Sequence, residues 1–448
     1  MPTLADLADA LAGGRTSRDL TEECLARIAD PDGEGSRAFI KVHAEQARAT
    51  ADFHDRSRRN GAAASRFAGI PVSIKDLFDI AGDVTTAGSI ALRDAPPATR
   101  DAIAVARLKA AGFVPIGRTN MTEFAFSGLG INPHYGTPLN IHDRRTGLRI
   151  PGGSSSGAAV SVTDGMAFAA LGTDTGGSCR IPAALCGLVG FKPTAARVPL
   201  DGTVPLSFSL DSIGPIATSV ACCAALDAVL TGNNAHKLSA VPLDGLRLAV
   251  PQTMVCDGID SEVGRAFTAA QSKLSGAGAR ISDIPLRELS ELARITSKGG
   301  FGAAESYAFH RPIIAAKRDL YDPRVLSRIQ RGAEQDAADY INLVSARKDF
   351  SRRVRAITEP YDALLMPTVP IVAPRLRDLE SDEAFSRINL LMLRNPTLAN
   401  FLDGCSISIP CHRQGDAPVG LMLIGQHADD ARLLAIAGAI ERLVAPRY

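Results

Sequence analysis

The chain has 448 residues, 46% hydrophobic and 22% charged, the make-up of a water-soluble globular protein long enough to bury a large core. A net charge of +1 gives no sign of a nucleic-acid or anionic-membrane partner, and no run of about 18 uninterrupted apolar residues could span a bilayer. Eight scattered cysteines without C-x-x-C spacing, and eight dispersed histidines, argue for reduced thiols in a cytoplasmic protein and against a disulfide framework or a structural metal. The opening residues carry acids early and break at Gly13-Gly14, so they do not read as a secretory leader.

In chain order, Leu4, Leu7, Ala8 and Leu11 recur at helical spacing before Gly13-Gly14. Thr16, with Asp19 three residues on, opens a second helix as a capping box, and Leu20, Cys24, Leu25 and Ile28 form its apolar stripe. At Ala68–Ile74 the period becomes two: Ile70, Val72 and Ile74 face one side of a strand, Pro71, Ser73 and Lys75 the other. A helix is expected over Asp101–Ala111, with Asp101 as N-cap and Gly112 as stop, then a strand at Phe113–Ile116. Further strands are expected at Ala167–Leu171, Leu246–Val250, Ala363–Met366, Ser406–Ile409 and Val419–Ile424, and an amphipathic helix over Asp430–Val444. Strands and helices mixed throughout indicate an α/β fold. One domain over 1–448 is expected. It divides into an N-terminal helical cover at 1–60, a catalytic core at 61–250, a mainly helical variable insertion at 251–360 and the C-terminal part of the core at 361–448.

Two Gly/Ser loops lie between Pro151 and Thr194. In the second, the expected strand Ala167–Leu171 runs into Gly172-Thr173-Asp174-Thr175-Gly176-Gly177-Ser178, and a helix ending at Gly187 follows. A strand–tight turn–helix lifts a serine hydroxyl to the lip of a sheet and gathers backbone N–H groups at a helix N-terminus, the geometry of an oxyanion hole. Glycines there allow unusual backbone angles and keep the approach clear. An anion-binding turn or a ligand-free turn would carry the same composition, but neither loop matches the phosphate-binding patterns G-x-x-x-x-G-K-[ST] or G-x-G-x-x-G. A serine nucleophile needs a base. No histidine sits in an informative motif, with His134 and His142 in a loop rich in Pro, Gly and Asn. Lysine serves if its surroundings lower its pKa far below about 10.4. Lys75, at the end of an apolar strand, is the candidate, though a solvated lysine at a strand end fits the residues equally well.

These motifs resemble the amidase signature family. Gly152-Gly153-Ser154-Ser155-Ser156-Gly157 and Thr173-Asp174-Thr175-Gly176-Gly177-Ser178-Cys179-Arg180-Ile181-Pro182 are similar to its Gly/Ser signature, with Ser154 preceding Ser178 by 24 positions. Gly69-Ile70-Pro71-Val72-Ser73-Ile74-Lys75-Asp76 matches its lysine motif. Gly117–Phe124, Gly190–Thr194, Leu210–Pro215 and Pro418–Leu421 extend the likeness over nearly the whole chain.

The resemblance implies a twisted mixed sheet of about eleven strands surrounded by helices. It also implies hydrolysis of a small-molecule amide to a carboxylate and ammonia or an amine through an acyl-enzyme. Ser178 is then the nucleophile, Ser154 the bridging serine after a cis peptide bond, and Lys75 the base. The amides of Thr175, Gly176, Gly177 and Ser178 form the oxyanion hole, and Ala125, Phe126 and Ser127 line the acyl pocket. Asp174 and Arg180 brace the loop. No cofactor, metal, membrane or nucleic-acid partner is implied, and a homodimer is compatible with the sequence. One departure stands out: Arg394 occupies the place where the glutamine-hydrolysing subunits of tRNA-dependent amidotransferases carry an aspartate that reads the substrate amine. Arg394 could instead meet an acidic or polar substrate. The alternatives are a glutamine-hydrolysing component of such an amidotransferase, a hydrolase of allophanate or other urea derivatives, and a non-catalytic binding protein.

Overall fold

Eleven strands gather into one mixed sheet in this computed structural model, which describes residues 1–233 and 238–446. They are β1 (Phe39–Val42), β2 (Pro71–Lys75), β3 (Val114–Thr119), β4 (Ala169–Asp174), β5 (Val189–Lys192), β6 (Ser212–Ala217), β7 (Arg247–Pro251), β8 (Arg280–Ile284), β9 (Ala363–Pro367), β10 (Ser406–Pro410) and β11 (Gly420–Ile424). Their order is β1-β3-β2-β4-β6-β5-β10-β11-β9-β7-β8. Two parallel groups, β3-β2-β4 and β9-β7-β8, flank an antiparallel centre from β4 to β9.

The central strands β2, β4, β6, β10 and β11 are buried along their whole length, so both faces are covered. That is why the alternation read at Ala68–Ile74 does not mark a solvent face: Ser73 and Lys75 are as buried as Val72 and Ile74. The two N-terminal helices, Leu4–Ala12 and Ser17–Ala29, open with the capping boxes Thr3/Asp6 and Thr16/Asp19. The C-terminal helix runs over Asp430–Val444 as the periodicity predicts.

The helix expected from Asp101 begins at Ile103, with Ala102 at the cap. The reason is that the Asp101 carboxylate is engaged elsewhere, accepting from the Ala81 N–H at 2.9 Å and from Lys109 Nζ at 2.8 Å. Four strands, β1, β5, β6 and β8, were not among the expected elements.

The stretch 251–360 holds the long helices Ser261–Gly276, Gly300–Lys317 and Ala337–Thr358, and it also supplies the edge strand β8, paired to β7. Leu343, Phe350 and Val354 of its last helix pack in one apolar cluster with Leu364 and Met366 of β9. Among the described residues no helix is long and apolar enough to cross a membrane, and no group of three or more His, Cys, Asp or Glu could hold a metal ion. All eight cysteines are free.

Candidate active site

The site forms where two neighbouring strands end. β2 and β4 run parallel, pairing Ile74 with Leu171, so the two strands end side by side with Lys75 within reach of Thr173. Lys75 is wholly buried, and its Nζ lies 2.8 Å from both Ser154 Oγ and Thr173 Oγ1. Ser154 follows a cis peptide bond from Gly153. Among the described residues no carboxylate lies within ion-pair distance of the Lys75 ammonium. Burial pushes its pKa down to about 8, opposed by the more distant Cys179, Asp174 and Asp211. A neutral amine keeps two N–H groups and one lone pair, enough to hold Thr173 and take a proton from Ser154.

β4 leads into the turn 175–178 and then the helix Arg180–Cys186, closed by Gly187 in the left-handed conformation. Ser178 lies at the end of that turn, and its carbonyl accepts from the Ser155 N–H at 3.4 Å, joining the two Gly/Ser loops. Gly177 has φ 124°, and a Cβ there would stand 2.6 Å from the Pro396 side chain. Glycine is required at this position.

Asp174 and Arg180 hold the turn from within. Both are fully buried, paired at 3.0 and 2.8 Å, and cross-linked by Asn400, which accepts from Arg180 Nη2 at 2.7 Å and donates to Asp174 at 3.0 Å. Burial alone would raise the Asp174 pKa, but the Arg180 charge, Lys192 and these hydrogen bonds outweigh it and hold the carboxyl well below the usual range. Asp174 Oδ1 also accepts the Gly177 N–H at 2.8 Å. This corrects the expectation of four oxyanion amides, because the Gly177 N–H is committed inside the turn. Among the described residues the N–H groups of Thr175, Gly176 and Ser178 have no protein acceptor.

A cavity of about 410 Å³ opens over Ser178. The expected residues Ala125, Phe126, Ser127, Thr175, Gly176 and Arg394 all line it, while Lys75 and Ser154 lie buried behind the lip and Gly177 is not part of its wall. Its walls are largely apolar, through Leu206, Leu210, Met254, Phe301 and Leu393. Against that background stand three arginines. Arg394 donates to the carbonyls of Asp257 at 2.7 Å and Val255 at 3.0 Å. Arg328 lies 4.7 Å over the Phe126 ring and donates to the Phe126 carbonyl. Arg331 donates to the Ser297 carbonyl at 2.7 Å. None has a carboxylate within ion-pair distance among the described residues. Burial, with the nearby Arg331 charge, pushes the Arg328 pKa down to about 10. Arg328 and Arg331 escaped the sequence reading. They stand in the 251–360 stretch with no motif around them, and only the fold returns that stretch to Ser178. Thr173 lay inside the recognised motif but gave no sign of contacting Lys75.

The profile of the family described as Amidase matches residues 19–434. The chain is 37% identical to a 2-amino-5-chloromuconic acid deaminase of Comamonas testosteroni over 84% of this chain and 82% of that one. It is 36% identical to a 1-carboxybiuret hydrolase subunit of Pseudomonas sp. (strain ADP), over 83% and 82% of the two chains. It is 34% identical to a glutamyl-tRNA(Gln) amidotransferase subunit of Thioalkalivibrio sulfidiphilus, over 97% and 96%. A crystal structure of an amidase superposes with TM-score 0.88 at 31% identity, covering 99% of this chain and 100% of that one. Fold and sequence together define a hydrolase acting on C–N amide bonds. The chain belongs to the amidase signature family.

Proposed function

We propose that this protein hydrolyses a small amide that carries a carboxylate, through a Ser178–Ser154–Lys75 relay and an acyl-enzyme. The observation that carries the relay is the 2.8 Å contact between buried Lys75 Nζ and Ser154 Oγ, directly behind the cavity that Ser178 lines. Neutral Lys75 takes the Ser154 proton as Ser154 takes the Ser178 proton, and Ser178 Oγ bonds to the substrate carbonyl carbon. The N–H groups of Thr175, Gly176 and Ser178 receive the oxyanion. The relay returns the proton to the nitrogen, the C–N bond breaks, and ammonia or an amine leaves. Water then attacks the acyl-enzyme, giving up its proton along the same path, and releases the carboxylate.

The carboxylate on the substrate is argued from Arg328, Arg331 and Arg394. Three cations lining an apolar cavity without an anionic partner favour a ligand that supplies one. Two relatives are named for carboxylated substrates, a muconic acid and a carboxybiuret, in keeping with this reading. The test is ammonia release from succinamate, propionamide, benzamide, biuret and glutamine. Succinamate is expected to exceed propionamide in kcat/KM by tenfold or more, about 1.4 kcal/mol of selective binding, and Arg328→Met should erase that preference. Glutamine as the best substrate would favour an amidotransferase component instead. Ser178→Ala is expected to fold and to lose turnover by about 10⁴-fold or more; near-normal turnover in that variant would remove Ser178 from the mechanism.

A further inference from the structure

Two buried carboxylates beside the cavity take no part in the relay. Asp211, 7% exposed, accepts the Thr175 hydroxyl on Oδ1 and the N–H groups of Leu206 and Ser207 on Oδ2, both at 3.0 Å. It forms no ion pair among the described residues. Glu305, 5% exposed, accepts from the hydroxyls of Ser207, Ser209 and Tyr340 and from the Ser209 N–H at 3.0 Å. Ser207 joins the two, giving its N–H to Asp211 and its hydroxyl to Glu305.

The positions of these groups are informative. Leu206 and Leu210, which bracket the Ser207–Ser209 loop, are walls of the cavity. Glu305 sits on the helix Gly300–Lys317, whose first residues, Gly300 to Ala303, form another wall. Thr175 is the first of the three amides facing the oxyanion. A continuous set of hydrogen bonds therefore runs from the cavity walls through Glu305, Ser207 and Asp211 to Thr175. Isolated carboxylates without a cation are costly to bury, and here N–H and O–H donors from one short loop, from Thr175 and from Tyr340 offset that cost.

We propose that Asp211 is a positioning residue for catalysis. It holds the Thr175 side chain, and so aims the Thr175 N–H at the oxyanion, with Glu305 fixing the loop that carries Asp211 to the substrate-facing walls. This rests on Ser178 being the nucleophile. Neither carboxylate lines the cavity. Burial pushes the Asp211 pKa up to about 6, with its hydrogen bonds opposing and Glu305 adding to the rise. Asp211 is therefore ionised, and at its strongest as an acceptor, only above that pH.

The test uses a methyl alkylfluorophosphonate, which needs no knowledge of the natural substrate. Ser178 Oγ forms a bond to phosphorus, the P–F bond breaks, fluoride leaves and the serine proton passes to Ser154. The phosphoryl oxygen takes the oxyanion position. The rate constant of labelling at saturating probe and the probe's half-saturating concentration are measured for Thr175→Val, Thr175→Ser, Asp211→Asn and the Thr175→Val/Asp211→Asn pair.

Losing one aimed oxyanion donor is expected to slow the labelling step by about tenfold to 10²-fold in Thr175→Val and in Asp211→Asn, with half-saturation moving less than about threefold. Thr175→Ser, which keeps the hydroxyl, should label like the parent. The double variant should be no slower than the slower single, because both remove one interaction. Parental labelling by Thr175→Val, or multiplicative slowing in the double variant, would overturn the proposal, and Thr175→Val decides the matter even if Asp211→Asn fails to fold. A Ser178→Ala variant that still labels would instead refute the nucleophile assignment.

Discussion

Lys75 shows how burial can fit an ordinary residue for the part of a base proposed for it. In water an amine near pKa 10.5 is a cation at neutral pH; enclosed between β2, Ser154 and Thr173, it is brought to about 8 because its charged form loses hydration that no carboxylate replaces. Only the neutral form can accept the Ser154 proton. Thus kcat/KM should rise with pH along a limb centred near 8 and level off above it, read as a profile from about pH 6 to about pH 10. Lys192 offers a sharp control. It too is fully buried and pushed down to about 8 by desolvation, but its Nζ donates to the Pro193 carbonyl at 2.6 Å, away from the cavity. Lys192→Met should keep the limb where it is, while Lys75→Met should lose turnover; a limb that disappears with Lys192 would refute the assignment to Lys75. At this scale the sequence was legible unevenly. Ser178 could be read from a strand, a glycine turn and a helix, all local. Lys75 could not be told from a solvated lysine until the strands beside it were in place. Arg328 gave no signal and Asp211 showed only as a member of the motif Leu210–Pro215, because what makes them notable is the absence of a cation or carboxylate partner, and partners are set by distant chain segments.

At the scale of elements, the turn 175–178 is kept in shape by a braced ion pair rather than by the helix that follows it, which is only seven residues long. Asp174 takes up the Gly177, Cys179 and Arg180 N–H groups and the Arg180 guanidinium, while Asn400 ties both charges to the segment after β9. Removing one member leaves the other charge buried and unmatched. Asp174→Asn is therefore expected to lower stability by about 3–5 kcal/mol, seen as a shift of the denaturant midpoint at an unchanged slope. A midpoint within about 1 kcal/mol of the parent would show that Arg180 finds other acceptors, such as the Pro396 carbonyl at 2.9 Å. Elements were most legible where their signals are local. The capping box at Thr16 and the helix Asp430–Val444 formed as read, while the box of Thr3 and Asp6 on the first helix was not anticipated. The cap at Asp101 failed because that carboxylate is claimed by Ala81 and Lys109, partners that helix rules do not see. β5 and β6 were missed because Gly190, Gly214 and Pro215 look like turn residues, yet Gly214 is demanded by sheet packing: a Cβ there would lie 2.0 Å from the Phe191 carbonyl oxygen.

The whole molecule is one sheet assembled from remote pieces of chain, and composition with periodicity could reach its class but not its strand order. β5 pairs with β10 and β7 with β9, across loops and helices that carry no pairing code. Long-range hydrogen bonds fasten the covering helices in the same way, and one of them makes stability depend on pH. Glu441, on the C-terminal helix, reaches the start of the helix Val220–Thr231 and accepts the Val220 N–H at 2.9 Å. Burial pushes its pKa from the ordinary 4.5 up to about 7, although the Val220 N–H and Arg442 oppose the rise. A carboxyl raised on folding binds its proton more tightly in the native state. Its contribution to stability is thus complete below about pH 4.5 and is lost as pH climbs to about 7. Glu441→Gln keeps an oxygen to accept from Val220 and never ionises. It should flatten the stability–pH curve between those limits, and at pH about 8 it should be more stable than the parent, because the parent then holds a poorly hydrated charge. Urea denaturation at pH about 5 and about 8 measures both ends. Equal slopes in the two proteins would mean that solvent reaches the Glu441 carboxylate and that the helix contact carries no charge penalty.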